Sequence, residues 1–329
     1  MKVLVPGGAG YIGSHTVREL SEAGYSPITF DNLSEGHLEA IRGGSFIQGD
    51  LTRFDDVRNA LLDSGAEAVM HFAAHCYVGE SVEDPGKYYQ NNVVGGLNLL
   101  RAMAGTAGAG RAVPLLIFSS SAAVYGIPSQ IPISEDHPRL PINPYGRTKK
   151  MFELMMEDFS RAHGLRWVSL RYFNAAGAHP DGSMGESHRQ ETHLIPLVLQ
   201  AALGRRPGVS VYGTDYDTPD GTCIRDYIHI LDLAHAHVLA LEYLRSGGGN
   251  EAINLGNGTG YSVREVIQAA RRVSGRPIPA SDAPRRPGDP DRLISSSDKS
   301  RRLLGWEPAY PDLEQIIGTA WQWHLHQRY

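Results

Sequence analysis

Through the first half of the chain, short runs of apolar and β-branched residues alternate with longer stretches whose apolar positions recur every three or four residues. The short runs Lys2 to Val5, Ser26 to Phe30, Ser45 to Gln48, Ala68 to Phe72, Leu115 to Ser119 and Arg166 to Arg171 have strand character. The longer stretches, near Tyr11 to Ala23, Thr52 to Leu62, Tyr88 to Met103 and Tyr145 to His163, have helical periodicity. Alternation of this kind predicts an α/β fold, a parallel sheet with helices on both faces. Ligands of such sheets gather beyond the carboxyl ends of the strands, where several of these runs place Gly, Asp or Ser.

Beyond about Asn174 the alternation loosens. Ala178 to Arg189 and Gly213 to Gly221 are polar and glycine-rich, and Pro284 to Pro290 holds too many prolines for a helix or strand interior. The pattern predicts a first domain over 1–173 and a smaller α/β carboxyl-terminal substrate domain over 174–329, with some segments crossing back to the first. On pattern alone these loops are either covers for a ligand or plain surface.

Composition changes this picture mainly by exclusion. The 329 residues are 41% hydrophobic and 20% charged, an ordinary globular balance. A net charge of -5 gives no overall field for nucleic acid or an anionic membrane. No apolar run approaches the roughly 18 residues of a membrane helix, and the start shows no signal-peptide core, so a cytoplasmic location is expected. The two cysteines, Cys76 and Cys223, cannot make a disulfide framework or a Cys-based zinc site. His235 and His237 stand two apart in a helical stretch and so do not share a face, and Asp215 to Pro219 has Pro where a calcium ligand belongs. No metal is expected.

The first chemical signal is Gly7-Gly8-Ala9-Gly10-Tyr11-Ile12-Gly13, after a strand and opening a helix. Such glycines let the backbone turn tightly and approach a pyrophosphate, which the helix N-terminus then faces. Asp31 ends the second strand run, 18 residues beyond Gly13, near the spacing of a carboxylate that takes an adenosine ribose hydroxyl. It would repel a 2′-phosphate, which favours NAD over NADP. The sheet is therefore expected to be doubly wound and of Rossmann type. Asp50 ends the third run and is read either as an acceptor for the adenine amine or as a helix N-cap.

The second signal is Tyr145 with Lys149, four apart on one helix face. An ammonium beside a phenol favours the phenolate, which would make Tyr145 a usable acid and base near neutrality. Among 15 tyrosines one such spacing can arise by chance. It gains weight from Ser119-Ser120-Ser121 at the end of a strand, where a hydroxyl can polarise the same substrate oxygen.

With these residues in place the chain resembles the extended short-chain dehydrogenase/reductases over essentially its whole length. The resemblance runs through Gly-Gly-Ala-Gly-Tyr-Ile-Gly-Ser-His from Gly7, His-Phe-Ala-Ala from His71, Val-Gly-Glu-Ser from Val78 and Tyr-Tyr-Gln-Asn-Asn-Val from Tyr88. It continues through Ser-Ser-Ser-Ala-Ala-Val-Tyr-Gly from Ser119, Pro-Tyr-Gly-Arg-Thr-Lys from Pro144, Arg-Tyr-Phe-Asn from Arg171 and Asp-Gly-Thr-Cys-Ile-Arg-Asp-Tyr-Ile-His from Asp220.

The resemblance implies an isomerase that interconverts UDP-galactose and UDP-glucose by transient oxidation at C4, rotation of the 4-keto sugar and return of the hydride. It implies Tyr145 as acid and base, Lys149 on the nicotinamide ribose and Ser121 on the sugar 4-hydroxyl. NAD contacts would fall on Gly7, Gly10, Tyr11, Ile12, Gly13, Asp31, Asn32, Asp50, Leu51, Phe72, Ala73, Ala74, Asn91, Ser119, Tyr145, Lys149 and Tyr172. The UDP-hexose would be held by Ser121, Tyr145, Asn174, His193, Leu194, Val211, Tyr212, Arg225, Arg286 and Asp289. Arg225 and Arg286 suit diphosphate oxygens, since a guanidinium forks onto them.

The chain also departs from its relatives. It carries His75-Cys76-Tyr77 where members of the family differ, and His193 where others have Asn. Ala122 and Ala123 occupy the place of the Asp-Glu pair of related dehydratases, and alanine can neither donate nor accept a proton, so dehydration is not expected. Leu293 stands where the family uses a bulkier residue to narrow the hexose pocket, which favours acceptance of UDP-GlcNAc and UDP-GalNAc. A homodimer packed through the helices near Tyr88 to Met103 and Tyr145 to His163 is implied by the same resemblance. Left open are inversion of a UDP-pentose or UDP-uronate, and a non-catalytic NAD-responsive binding protein.

Overall fold

A computed structural model describes residues 1–286 and 288–329. The chain begins β1 (Lys2–Pro6), α1 (Tyr11–Glu22), β2 (Ser26–Asp31), β3 (Ser45–Gln48), α2 (Phe54–Ser64) and β4 (Ala68–His71). It continues through α3 (Val78–Glu83), α4 (Pro85–Tyr88), α5 (Gly95–Gly105), β5 (Leu115–Ser121), α6 (Pro144–His163) and β6 (Trp167–Tyr172). The remaining elements are β7 (Asn174–Ala176), α7 (Leu194–Ala202), β8 (Val209–Tyr212), β9 (Ile224–Arg225), β10 (Tyr227–His229), α8 (Ile230–Arg245) and β11 (Glu251–Leu255). Then follow β12 (Tyr261–Ser262), α9 (Val263–Ser274), β13 (Ala280–Ala283), β14 (Arg292–Leu293), α10 (Asp298–Leu304) and α11 (Leu313–Leu325). Among the described residues no helix is long and apolar enough to cross a membrane.

Seven strands form one sheet in the order β11-β6-β5-β4-β1-β2-β3, every neighbouring pair parallel. The order reverses between β1 and β4, which leaves a crevice at their carboxyl ends. Strands buried on both faces supply two cores by simple alternation. Val3, Val5, Met70, Ile117, Val168 and Ile253 pack with α1 and α8 on one face, whereas Leu4, Ile28, Val69, Leu116 and Phe118 pack with α2, α5 and α6 on the other. At Gly96 a Cβ would lie 2.5 Å from Phe152 Cδ2, so glycine permits the close approach of α5 to α6.

Beyond β6 the chain builds a second core around α7, α9 and α11 against β8, with Trp321, Ile316 and Val211 at its centre. Its strands form small sheets: β13 with β8, β12-β9-β14, and β10 with β7. Two later elements return to the large sheet. The α8 helix packs on α1, and β11 pairs in parallel with β6, Glu251 opposite Val168.

The structure moves several expected boundaries. The strand from Leu115 runs to Ser121 because Ser119, Ser120 and Ser121 pair with Leu170, Arg171 and Tyr172, a backbone ladder that polar side chains do not advertise. The helix expected from Thr52 starts at Phe54, since the Asp50 carboxylate takes the Thr52 N–H at 2.8 Å and its hydroxyl at 2.7 Å in a preceding turn. The helix expected from Tyr88 is interrupted by one π-helical segment over Tyr89–Val94, a distortion often found at functional sites.

Candidate active site

The glycine-rich turn is shaped by two close approaches. Gly7 has φ +82°, and a Cβ there would fall 2.4 Å from the Ala73 nitrogen; at Gly13 a Cβ would fall 2.1 Å from the Gly7 carbonyl oxygen. Gly10 is the N-cap of α1 and offers no side-chain cap, so the first N–H groups of the helix are left open. A side chain at Gly10 would have only the Gly7 carbonyl near it, at 3.4 Å, so the space before the helix end is clear. The Asp31 carboxylate stands beside this turn, accepting from Ala9 N at 3.0 Å and Leu33 N at 2.8 Å. Burial raises its pKa, and these backbone donors counter the shift. An open helix N-terminus with a fixed carboxylate on the next strand fits a pyrophosphate and ribose.

Around this cradle lie the other expected cofactor residues. Asn32 donates to Asp50 at 2.9 Å, which joins the ends of β2 and β3. Asp50 therefore caps a turn and not α2, whose N-cap is Arg53. Leu51 is buried in the core, while Phe72, Ala73 and Ala74 are partly exposed past β4. Tyr11 donates to the Gly177 carbonyl at 2.6 Å and so ties α1 to the loop beyond β7. Asn91 donates to its buried neighbour Asn92 at 2.9 Å. Asn92 in turn donates to His75 O and Thr148 Oγ1, both at 3.0 Å, and accepts from His75 N at 2.9 Å. It thus fastens the His75-Cys76-Tyr77 segment to α6. Asn92 has no signature in the sequence beyond being one of a pair of Asn residues inside a helical stretch.

The expected proton-transfer groups sit on α6 and the end of β5. Asn143 caps this helix by accepting from Gly146 N, Pro144 occupies the first turn and Gly164 closes it in the left-handed conformation. Tyr145 and Lys149 share a face, the Lys149 Nζ lying 5.8 Å from the centre of the Tyr145 ring. That Nζ donates to the Ser119 carbonyl at 2.7 Å. Burial pulls the Lys149 pKa down to about 8, and the same burial pushes the Tyr145 phenol well up, with hydrogen bonding to Ser121 opposing it. Desolvation is the largest influence on the phenol and favours its protonated form. Tyr172 and Ser119 share a short hydroxyl–hydroxyl contact behind the pair.

Glu153, one turn beyond Lys149, was not singled out from the sequence. Its Oε1 accepts from Ser120 and Ser169 at 2.8 Å and Arg171 at 2.9 Å; its Oε2 accepts from Arg171 at 2.8 Å and Arg139 at 2.9 Å. Burial alone would raise this carboxyl, but the Arg171 guanidinium holds it below the usual range. The network bolts α6 to β5 and β6, whose ends carry Ser121 and Tyr172.

The expected substrate residues come from the second half of the chain. Asn174 donates to Asp226 O at 2.8 Å. Val211 is buried and Tyr212 exposed on β8, and the Arg286 guanidinium lies 4.1 Å from the centre of the Tyr212 ring. Arg225 pairs with Asp289 and also donates to Pro290 O at 2.8 Å. One expected cation is therefore neutralised by an expected anion, which separation in sequence concealed. His193 precedes α7, which begins at Leu194, and it pairs with Glu186 rather than standing free. Leu293 on β14 packs against the cluster of Ala122, Val124 and Tyr125, just after Ser121. Pro287, inside the expected diphosphate loop, lies outside the described residues.

The two histidines set aside from the sequence go to different partners, His235 to Glu19 at 3.0 Å and His237 to Leu233 O at 2.8 Å. Asp215 pairs with Arg285.

Residues 3–256 match the NAD dependent epimerase/dehydratase family. The UDP-glucose 4-epimerase of Halalkalibacterium halodurans is 53% identical over 325 residues, covering 98% of this chain and 96% of that protein. The crystal structure of UDP-glucose 4-epimerase from Brucella ovis in complex with NAD superposes with a TM-score of 0.94 at 52% identity, covering 97% of each chain. The Bifidobacterium longum UDP-glucose 4-epimerase in complex with NAD+ and UDP gives a TM-score of 0.93 at 38% identity, over 99% of each chain.

Proposed function

This chain belongs to the NAD dependent epimerase/dehydratase family, and we propose that it interconverts UDP-galactose and UDP-glucose by inversion at C4. The observation that carries the reading is the convergence of Tyr145, Lys149 and Ser121 at the end of β5, in the same parallel sheet whose β1 and β2 end at the open N-terminus of α1 and at Asp31. When bound, NAD supplies the acceptor and donor of the C4 hydride and a positive charge beside the phenol.

The chain's own residues divide the remaining work. Gly7, Gly10, Tyr11, Ile12 and Gly13 cradle the pyrophosphate, Asp31 takes the adenosine ribose, and Asn32, Asp50, Leu51, Phe72, Ala73, Ala74, Asn91, Ser119 and Tyr172 line the cofactor. Tyr145 removes and returns the proton of the 4-hydroxyl, Ser121 orients that oxygen, and Lys149 holds the nicotinamide ribose. Inversion requires that the sugar turn while its nucleotide stays anchored. Asn174, His193, Leu194, Val211, Tyr212, Arg225, Arg286 and Asp289 form that anchor, so residues 1–173 serve the cofactor and 174–329 the nucleotide sugar, with α8 and β11 lent to the large sheet. Leu293 packs beside the turn after Ser121, and its side chain, smaller than the bulky residue of the family at that place, supports activity on UDP-GlcNAc.

The protein works as a homodimer in this reading, because Val94 at the end of the π-helical segment, Leu97 on α5, and Met151 and Leu154 on α6 expose apolar side chains on adjoining helices. The thiols of Cys76 and Cys223 are unbonded, as a reducing cytoplasm allows. Denaturing the purified protein, identifying the released nucleotide and assaying a panel of UDP-sugars tests the assignment.

A further inference from the structure

Within eight residues the chain places Glu186, His188, Glu191 and His193, and the fold turns all four toward one point. One donor atom from each lies within 4.8 Å of the other three. His188 Nδ1 is 3.3 Å from Glu186 Oε1 and 3.2 Å from Glu191 Oε2; His193 Nδ1 is 2.5 Å from Glu186 Oε1 and 3.7 Å from Glu191 Oε1. A tetrahedral ion with bonds of about 2.0–2.2 Å needs donor pairs separated by about 3.3–3.6 Å. The two His188 distances lie close to that span, the Glu186–His193 distance needs to open by less than an ångström, and the remaining pairs start within 4.8 Å of one another, His193 lying nearer to the other Glu191 oxygen than to the one that faces His188. We propose that Glu186, His188, Glu191 and His193 form a four-coordinate site for a divalent transition-metal ion of the zinc class.

The donor set selects the ion. Two imidazole nitrogens with two carboxylates suit zinc or cobalt, whereas magnesium and calcium demand more oxygens. Four protein donors leave no open position, which is the arrangement of a structural and not a catalytic metal. The surroundings hold the donors in place. Glu191 Oε1 accepts from Thr192 N and His193 N, both at 2.8 Å, and the Glu186 carbonyl accepts from Trp323 Nε1 at 2.9 Å. The His188 ring meets Tyr11 and Tyr77 edge-on, at 6.5 and 5.9 Å between centroids. Glu186 is buried while the His193 side chain is half exposed, giving an ion a way in.

The site would close the long loop between β7 and α7. It would fix that loop to α1 through Tyr11, to the segment after β4 through Tyr77 and to α11 through Trp323, and so set where α7 begins. Without an ion the same four groups hold together as protonated imidazoles facing carboxylates, an arrangement that binds no metal. Metal content separates the two.

The test uses the full chain with its cofactor bound, treated with a chelator, incubated with micromolar zinc or cobalt, passed through a desalting column and assayed for metal. One ion per chain is expected, with the intense visible absorption of tetrahedral cobalt in the cobalt form, a rise in melting temperature on loading, and loss of the ion in both His188→Ala and Glu191→Gln. Retention of less than a tenth of an ion per chain would overturn the proposal. So would undiminished retention in both variants, each confirmed as folded by circular dichroism. The outcome is independent of sugar turnover, so the site and the proposed reaction fail separately.

Discussion

Lys149 and Tyr145 stand one turn apart on α6, and the Lys149 Nζ lies 5.8 Å from the centre of the Tyr145 ring while donating to the Ser119 carbonyl. The lysine is therefore held by the strand that carries Ser121, and the helix presents ammonium and phenol to one space. Burial dominates both groups, pulling Lys149 down to about 8 and pushing Tyr145 up.

Removing the phenolic oxygen isolates this role. Tyr145→Phe keeps the ring and its packing, so it should fold and retain NAD while losing about 10²–10⁴-fold in kcat, the usual span for general acid–base catalysis. Initial rates with UDP-galactose, set beside the cofactor content of the same preparation, check this.

Stability should carry the signature of the buried ammonium. The native chain gives up the Lys149 proton near 8, whereas an unfolded lysine keeps it to about 10.4. Between these values the unfolded state binds more protons, so stability rises with pH across that window; below it the burial penalty is fully present. Lys149→Met removes a penalty of about 3 kcal/mol and forfeits one hydrogen bond of about 1 kcal/mol. Urea denaturation should find this variant the more stable at about pH 7, with the gap closing toward about pH 10, and its turnover should fall at every pH.

Glu153 is the counterweight to Arg171. Glu153→Gln leaves a buried guanidinium without its anion, a change that costs about 3–5 kcal/mol. Denaturant unfolding should show that loss, together with a lower kcat, because the α6 helix that carries Tyr145 loses its anchor to β5 and β6.

Pocket width should answer to Leu293. Leu293→Tyr should lower kcat/KM for UDP-GlcNAc by roughly ten- to a hundredfold, with a much smaller change for UDP-glucose, since bulk added to a pocket discriminates by the few kcal/mol of a steric clash. Parallel rates on the two sugars measure it. Equal losses on both would remove Leu293 from the sugar pocket.

How far the sequence carried this picture depends on the range of the interactions. Gly7 to Gly13 were legible because each glycine answers a local demand, a positive φ at Gly7 and backbone contact at Gly13. Tyr145 and Lys149 were legible because a helix fixes which residues share a face. The large sheet followed from its alternating runs, and six of its seven strands lie where those runs fall. β11 had no such signal, since its partner β6 is some eighty residues earlier and its place rests on tertiary packing. The same holds for Glu153 with Arg171, Asn92 with His75, and Arg225 with Asp289, all polar pairs joined only by the fold. Short strands such as β9 and β14 are two residues long, too short to show a period.

The most direct test of the central claim is incubation of pure protein, shown to hold NAD, with UDP-galactose, followed by separation of the nucleotide sugars. UDP-glucose should accumulate to a fixed ratio that is also reached from UDP-glucose, with no added cofactor consumed. A preparation loaded with NAD that leaves UDP-galactose unchanged would contradict the assignment.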